Sequence, residues 1–384
     1  MKFKFFFIIA SLVIISCKRE LNKSDDGNSI VIDASTEACI TVTEFVDSVD
    51  FIKLETTEQC LIGRISKILF VNDLLIIQDS KTHTIFLFDK NGKFRHSISK
   101  RGNGPGEYIN LTRVMYDFDK NQIIVYDGTS KKIFFYNMYG DLIKEINQFS
   151  EGNPIRDVIN LPNGNFLCYC HDYSDGFTYS GLWEVDSTGS FLKTHLDKKE
   201  GYPFFLNEDQ AYLYPISDRV IGLCCGDADE IYHYQQDSLY KYLSYNIKNG
   251  TSIENIKNSR KEEKEKFVRK NKTHEKGNFL LTEWIDDKNI GFFSIYSKKD
   301  SKVTMGRVFD FNNTPFASVF GRIIDSNDTN SIVIAITADL VLEDLTSKYT
   351  SDVARNKLKE LTMAMSENEI TEMNPIIEIL YLKQ

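Results

Sequence analysis

The chain has 384 residues and a formal net charge of −9, with 27 Phe and 19 Tyr against 7 Pro. A body this long and aromatic, with no Pro/Gly-rich linker to divide it, suits strands and core burial rather than a disordered chain. The acidic balance, without a basic stripe, argues against nucleic acid as a partner and against electrostatic adhesion to anionic lipid.

Lys2 and Lys4 precede an apolar run over residues 5–15 that only Ser11 interrupts. The run is too short to span a bilayer comfortably and reads as the core of a secretory signal peptide, residues 1–16. Ser16 and Cys17 complete Val-Ile-Ile-Ser-Cys, which resembles the lipobox of bacterial lipoproteins, with Val13 and Ile14 where Leu is commonest. The resemblance implies cleavage before Cys17 and diacylglycerol on its thiol, hence a protein lipid-anchored in a Gram-negative envelope, at the outer membrane, on either face. Loss of Lys2 and Lys4 takes the charge from −9 to −11. Residues 17–29 are polar and aperiodic, a tether.

Phe51-Ile-Lys-Leu-Glu-Thr-Thr reads as an isolated strand ahead of a repeat. Asp79, Ile85, Phe86, Gly92 and Ile98 recur without a gap as Asp127, Ile133, Phe134, Gly140 and Ile146, an offset of 48. A weaker third copy, Trp183-Glu-Val-Asp-Ser-Thr-Gly, places Gly189 another 49 on. A period of this size marks a repeated supersecondary unit. Each unit holds short apolar or aromatic runs, such as residues 74–78, 85–88, 123–126 and 133–136, joined by turns such as Lys-Asn-Gly. The expected fold is therefore all-β: a six-bladed β-propeller of four-stranded antiparallel blades over residues 30–384. Six units of 48 fit once residues 246–277 and 339–375 are set aside as insertions that contribute no strand, and seven do not.

Between the first two copies lies Lys-Arg-Gly-Asn-Gly-Pro-Gly-Glu-Tyr, residues 100–108. Three glycines free of a Cβ clash and a proline that restricts its neighbour impose one sharp bend. The spacing does not match a dinucleotide fingerprint, no Gly-Lys-Ser/Thr follows, and Glu107 would repel a phosphate. Gly102, Gly104, Pro105, Gly106, Glu107 and Tyr108 are accordingly read as a structural motif at a blade rim.

Strand patterning continues at residues 165–170, 179–185, 191–195, 220–225 and 231–234, then at 279–284, 290–296, 303–311, 318–324 and 332–336. The charge-dense stretch 247–276 between these groups reads as a solvated helix or loop. In residues 351–365, Ala354, Leu358, Leu361 and Met365 recur at helical spacing behind a Ser351 N-cap, a helical insertion in the last blade packed by its apolar face. The apolar stretch after Pro375 is the expected partner of the isolated strand near Phe51; pairing the two chain ends would remove free edges from the ring.

Six cysteines follow Cys17: Cys39, Cys60, Cys168, Cys170, Cys224 and Cys225. Most read as buried apolar thiols; Cys39 and Cys60 are the pair least constrained by strand direction, and no zinc spacing is present. His83, His96, His171, His195, His233 and His274 are scattered, with no His-Glu-x-x-His; any metal site is unknown and no cofactor is expected. His171 and Asp172 follow an inner-looking strand and are the best pocket candidates, a surface turn being the bland reading. No Gly-x-Ser-x-Gly elbow appears, and Asp286-Asp287 and Glu262-Glu263 fit solvated turns and helices.

The lipobox cysteine, Phe51-Ile-Lys-Leu-Glu-Thr-Thr, Cys60-Leu-Ile-Gly, Phe88-Asp-Lys-Asn-Gly-Lys-Phe, Gly102-Asn-Gly-Pro-Gly-Glu-Tyr108 and Asn374-Pro-Ile-Ile-Glu together resemble the six-bladed β-propeller lipoproteins of Gram-negative bacteria, relatives of the NHL-repeat propellers. The likeness covers nearly the whole mature chain and implies the fold and the anchor, with no catalytic residues to carry over. The functional expectation is a non-enzymatic envelope module that presents one face to a glycan, peptide or protein, with Tyr173, Phe177, Tyr202, Phe204 and Phe205 as rim aromatics. The alternative is a metal-assisted hydrolase or lyase with ligands converging on a central channel.

Overall fold

The computed structural model describes residues 28–384 apart from 153–154, 175–176, 201–210, 218, 226–228, 253–265, 311–321, 348–349 and 364. Nearly all of it is β-structure. The chain enters through β1 (Asn28–Asp33), β2 (Cys39–Thr41) and β3 (Val46–Lys53). The first sheet then forms from β4 (Ile65–Val71), β5 (Leu74–Asp79), β6 (Thr84–Asp89) and β7 (Phe94–Ile98), and the second from β8 (Arg113–Asp117), β9 (Gln122–Asp127), β10 (Lys132–Tyr136) and β11 (Leu142–Ile146). The third is β12 (Asp157–Asn160), β13 (Phe166–Ser174), β14 (Phe177–Val185) and β15 (Phe191–Glu200). In the fourth, β16 (Leu213–Ser217), β17 (Val220–Cys224), β18 (Glu230–Gln235) and β19 (Ser238–Lys248) gain β1 as a parallel outer strand. The fifth holds β20 (Thr251–Ser252), β21 (Phe267–Lys276), β22 (Phe279–Ile285), β23 (Gly291–Ser297) and β24 (Lys302–Gly306), and β25 (Val308–Asp310) pairs with β2. Last come β26 (Arg322–Ser326), β27 (Ser331–Ile336) and β28 (Ile376–Leu382).

The two chain ends close this last sheet. β3 runs antiparallel along β28, with Phe51 opposite Glu378 and Lys53 opposite Ile376, so the N-terminal strand is the outer strand of a sheet made otherwise from the C-terminus. The pairing expected from the Phe51 and Pro375 segments is present. On its other side the same sheet runs into the first, because β26 and β4 pair in parallel at Asp325↔Lys67 and Ser326↔Ile68.

The apolar core is divided between successive sheets rather than gathered in one place. Val71, Leu87, Val114 and Phe134 pack between the first and second sheets, and Tyr126, Phe149, Phe166 and Cys168 between the second and third. Leu182, Leu213 and Leu223 join the third to the fourth, and Leu243, Trp284 and Phe292 the fourth to the fifth. Ile68, Phe88, Val333 and Ile379 pack the last sheet on the first. Each sheet is thus buried on both faces, which explains continuous apolar strands such as Ile-Phe-Leu-Phe in β6 where a one-sided sheet would alternate.

The repeat found in the sequence is a repeat of turns. Asp79 accepts from Arg64 N–H (2.9 Å), Gly63 N–H (2.7 Å) and Lys81 N–H (2.8 Å), and Asp127 accepts from Ile109 N–H (2.7 Å) and Thr129 N–H (2.9 Å). Each aspartate folds its own hairpin and ties down the segment leading into its sheet. Gly92, Gly140 and Gly189 hold φ +79, +86 and +96, the left-handed region that favours glycine.

Three expectations change. The segment 246–277 is no strand-free insertion, since Phe267–Lys276 is a ten-residue strand at the inner side of the fifth sheet. Its charges looked solvated, yet Lys270 and Lys276 are buried, Lys270 over the Tyr245 ring and Lys276 on carbonyl oxygens. The tether stops earlier than residue 29, because Asn28 and Ser29 already pair with Leu243 and Ser244. The sheets are also not uniformly four-stranded: β1 and β20 add strands, and the last sheet fuses with the first.

Three helices lie between β27 and β28: α1 (Ala338–Thr346), α2 (Asp352–Leu361) and α3 (Glu367–Thr371), of which α2 falls in the stretch 351–365 where a helix was expected. Ser351 caps α2 by accepting from Ala354 N–H at 3.1 Å, and Ala354 and Leu358 are buried against the last sheet, with Leu361 and Met365 at the margin. Among the described residues no helix is long and apolar enough to cross a membrane. Among the described residues no cysteine forms a disulfide: Cys60, Cys168, Cys170, Cys224 and Cys225 are buried, and Cys39 is exposed. Cys17 lies outside the described residues.

Candidate functional site

The inner strands of the sheets bring together charges that are far apart in the chain. Lys67 on β4, Arg113 on β8, Asp157 on β12, Lys276 on β21 and Asp325 on β26 stand at or next to the start of their respective sheets. Arg113 is the hub. Its Nε lies 3.0 Å from Asp157 Oδ1, its Nη1 2.8 Å from Asp325 Oδ2, and its Nη2 donates to the Leu213 carbonyl at 3.0 Å. Lys67 Nζ reaches the same Asp325 oxygen at 3.1 Å. Asp157 Oδ2 also accepts from the N–H groups of Tyr212 (2.8 Å) and Leu213 (2.9 Å), so one carboxylate links the second, third and fourth sheets.

These groups are almost wholly buried, the side chains of Lys67, Arg113 and Asp325 being 8%, 11% and 10% exposed. A buried charge persists only when it is paired and hydrogen-bonded. Burial pushes the Lys67 ammonium down to about 8, the Arg113 charge adds to the shift, and Asp325 opposes it. Burial would raise Asp325, but Lys67, Arg113 and Lys276 outweigh it and hold the carboxyl below its usual range. At Asp157 burial wins over the pull of Arg113, and the carboxyl is raised.

Lys276 donates to the Ser326 carbonyl at 2.9 Å and to the Asp328 carbonyl, which joins the fifth sheet to the last. Beside it on β21, His274 has its Nε2 buried with no hydrogen-bond partner among the described residues. Burial and then the Lys276 and Lys272 charges push the His274 imidazole down to about 3, so it is neutral at ordinary pH.

A third buried carboxylate, Glu275, precedes Lys276 on β21. It takes His233 Nε2 at 3.1 Å, Lys298 Nζ at 2.9 Å and the Tyr214 hydroxyl at 3.3 Å, and His233 stacks on Tyr242 at 3.9 Å. His195 pairs similarly with Glu184 at 3.2 Å, and His96 Nε2 sits 2.6 Å from the Met138 carbonyl. These histidines join neighbouring strands or turns and do not converge. Among the described residues no group of three His, Cys, Asp or Glu side chains is placed to hold a metal.

The glycine motif lies in the link from β7 to β8. Gly104 N–H donates to Glu107 Oε2 at 2.8 Å, and a Cβ on Gly102 would fall 2.0 Å from that oxygen, so the glycines make room for a carboxylate that folds back on its own loop. Only Gly106 of the three has a positive φ, at +70. Tyr108, fully buried, donates its hydroxyl to the His83 carbonyl at 2.8 Å, and the Gly106 carbonyl accepts from the Tyr136 hydroxyl at 2.9 Å.

His171 and Asp172 lie inside β13, opposite Ser180 and Tyr179, rather than in a turn after a strand. Their side chains, and those of Tyr173 and Phe177, lie outside the described residues, as do Tyr202, Phe204 and Phe205 and the Glu262-Glu263 pair. Asp286 departs from expectation: it is in a turn but buried, paired with Arg307 Nη2 at 2.9 Å. The Arg113 charge cluster itself was missed. The available signal was a single charge in an otherwise apolar first strand, as in Ile-Ser-Lys-Ile-Leu-Phe-Val of β4 and Asp-Val-Ile-Asn of β12.

Among solved structures, the chain is similar to a protein of Bacteroides fragilis NCTC 9343 described as exported, at 19% identity and a TM-score of 0.73, over 93% of this chain and 100% of that one. At that identity the likeness shows the fold alone. A member of the DUF4221 family from Bacteroides vulgatus ATCC 8482 matches at 14% identity and TM-score 0.46, over 88% of this chain and 97% of that one. Hydrazine synthase of Kuenenia stuttgartiensis matches at 11% and 0.41, over 86% and 90%. No curated protein gives a significant match. Residues 29–381 match the family described as a domain of unknown function, DUF4934, and the chain belongs to that family.

Proposed function

We propose that the sheets are the blades of a six-bladed β-propeller hung from the envelope by a lipid on Cys17, and that the protein is a non-enzymatic module that binds a glycan, peptide or protein at one end of the ring. The order of the sheets, with the last against the first and the N-terminal strand as its outer member, supports the ring. The signal-like N-terminus, and a structural neighbour described as exported, support placement outside the cytoplasm.

The observation that carries the binding reading is the Arg113 hub. Asp157 and Asp325 are already neutralised by the chain's own cations, so the acids most central to the ring are committed to holding sheets together. Hydrolysis or lyase chemistry on the axis would need one of them free as a base or metal ligand. Exposed side chains at the hairpin end point to an outer surface instead: Phe118 is 61% exposed and Tyr139 81%, in the β8–β9 and β10–β11 turns at the same end of the second sheet.

Two measurements test this. Metabolic labelling with a fatty-acid probe should mark the wild-type protein and not Cys17→Ser; an unlabelled, freely soluble wild type would remove the anchor. The chain from Lys18, immobilised and exposed to envelope extracts, polysaccharides and peptides, should retain a partner that the Phe118→Ser/Tyr139→Ser double variant loses. Turnover of a polysaccharide, lost on Asp157→Asn, would overturn the binding reading in favour of an enzyme.

A further inference from the structure

Residues 28–41 run along the outer edges of two sheets before the chain completes a third. In β1, Ile30 and Ile32 are buried between the fourth and fifth sheets, while Val31 between them is exposed. Past β1, Asp33 Oδ1 accepts from Asn249 Nδ2 at 2.8 Å, and the Asp33 N–H donates to Met305 Sδ of β24 at 3.3 Å. Arg307 then clamps the segment. Its Nε donates to the Thr36 carbonyl at 2.9 Å, its Nη2 to the Ala34 carbonyl at 3.2 Å, and its backbone N–H to the Ala38 carbonyl at 3.0 Å. A Cβ on Gly306 would fall 2.5 Å from that same Ala38 oxygen, so the strap lies directly on the fifth sheet, and the pairing of β2 with β25 continues it.

This flank of the fourth and fifth sheets is where the chain arrives from Cys17. Only ten residues, 18–27, separate Cys17 from Asn28. Fully extended, they reach at most about 35 Å. A compact body of this length is about 50 Å across, so a chain held by a lipid on Cys17 cannot turn its opposite flank to the membrane. The near flank also carries apolar side chains for such a contact. Val308 on β25 is 55% exposed, and Val31 on β1 and Tyr240 on β19 are exposed as well, tyrosine being suited to a lipid–water boundary. We propose that the flank of the fourth and fifth sheets faces the lipid surface, with Val31, Tyr240 and Val308 as contact residues, a reading that rests on the Cys17 anchor proposed above. The contact is apolar and imposed by the tether, which agrees with an acidic chain that gains nothing from anionic lipid. The second sheet, three sheets from the fifth in order, then points away from the bilayer, and its Phe118 and Tyr139 stay open to a partner.

The test uses the full lipidated chain, reconstituted in phosphatidylcholine vesicles that carry a nitroxide quencher on the lipid headgroup. Cys39→Ser removes the exposed thiol, and a thiol-reactive fluorophore is placed either at Val308→Cys or at Ile143→Cys, an exposed position on β11 of the second sheet. Quenching by the lipid nitroxide is expected to be several-fold stronger at position 308 than at 143. Should Val308→Cys fail to fold, Tyr240→Cys reports on the same flank from β19. Equal quenching, or stronger quenching at 143, in a protein that floats with the vesicles overturns the orientation and leaves the anchor standing. A full chain that does not float overturns the anchor and the orientation together. A label at 308 that is shielded from aqueous iodide yet unquenched by the lipid nitroxide assigns the flank to a second protein chain, and that too overturns the proposal.

Discussion

A Cβ on Gly92 would fall 2.1 Å from the carbonyl oxygen of Lys53, the last residue of β3. The Gly92 carbonyl in turn accepts from Glu55 N–H at 2.8 Å. The β6–β7 turn of the first sheet is therefore seated on the backbone of the strand that closes the last. The same seat recurs at Gly140, where a Cβ would meet Ile98 at 3.1 Å, and at Gly189, where it would meet Ile146 at 2.5 Å. The repeated glycines mark where each sheet touches the outer strand of the one before it.

Gly92→Ala should therefore cost more than backbone strain alone. Gly164 supplies the control, because its φ of +84 is as unfavourable for alanine but the nearest atom to its Cβ is 4.0 Å away. Equilibrium urea unfolding should show a loss of about 1–2 kcal/mol for Gly164→Ala, the cost of a left-handed residue, and a clearly larger loss for Gly92→Ala. Equal losses would mean that the seat on Lys53 yields freely.

Those glycines were legible in the sequence for a physical reason. A tight turn that needs positive φ and a close approach admits few residues, so Gly92, Gly140 and Gly189 stand out at a constant spacing, with Asp79 and Asp127 beside them. The chain-end pairing was legible too, since two apolar segments without local partners had to find each other. The inner strand Phe267–Lys276 was hidden because charge on a strand looks the same whether it meets water or, as with Lys276, buried carbonyl oxygens. The charge cluster was hidden because Lys67, Arg113, Asp157 and Asp325 come from four strands whose convergence no local pattern records.

Removal of the strand that closes the last sheet should be felt beyond that sheet. Without β3, the outer edge of β28 from Ile376 to Leu382 exposes unpaired N–H and C=O groups on an apolar strand, which is a template for association. A chain that begins at Glu55, which lacks β1 and β2 as well as β3, is expected to sediment as aggregate or to lose its cooperative unfolding transition. A soluble monomer with the unfolding midpoint of the full chain would show that the last sheet is complete without its N-terminal member.

Tyr108→Phe isolates one hydroxyl of the glycine motif. The ring stays buried, but the His83 carbonyl at 2.8 Å and the Ile98 carbonyl at 3.3 Å lose their shared donor. A loss of about 1–2 kcal/mol is expected in urea unfolding, together with faster amide exchange at Gly102 and Tyr108, whose N–H groups bond across the same loop. Unchanged exchange would mean that the loop is held by Glu107 and the glycines without help from the tyrosine.

Asp344 gives the helical insertion a pH dependence of definite sign. Burial, only partly opposed by the Thr350 hydroxyl at 2.7 Å and reinforced by Glu343, pushes its carboxyl up to about 6. Its place in the last turn of α1, where the helix dipole disfavours negative charge, acts in the same direction. A carboxyl whose folded value exceeds its unfolded one binds more protons folded than unfolded, so its contribution to stability is intact below the ordinary value of 3.8 and declines until the pH passes about 6. Asp344→Asn keeps an acceptor for Thr350 and removes the charge. The variant should match the wild type in acid and be more stable at neutral pH, by about 1 kcal/mol after allowance for residual solvent, or a few degrees in unfolding temperature. A gain of the same size at both ends of the range would place the benefit in packing, and a loss at neutral pH would mean that the buried carboxylate is paired and ionised.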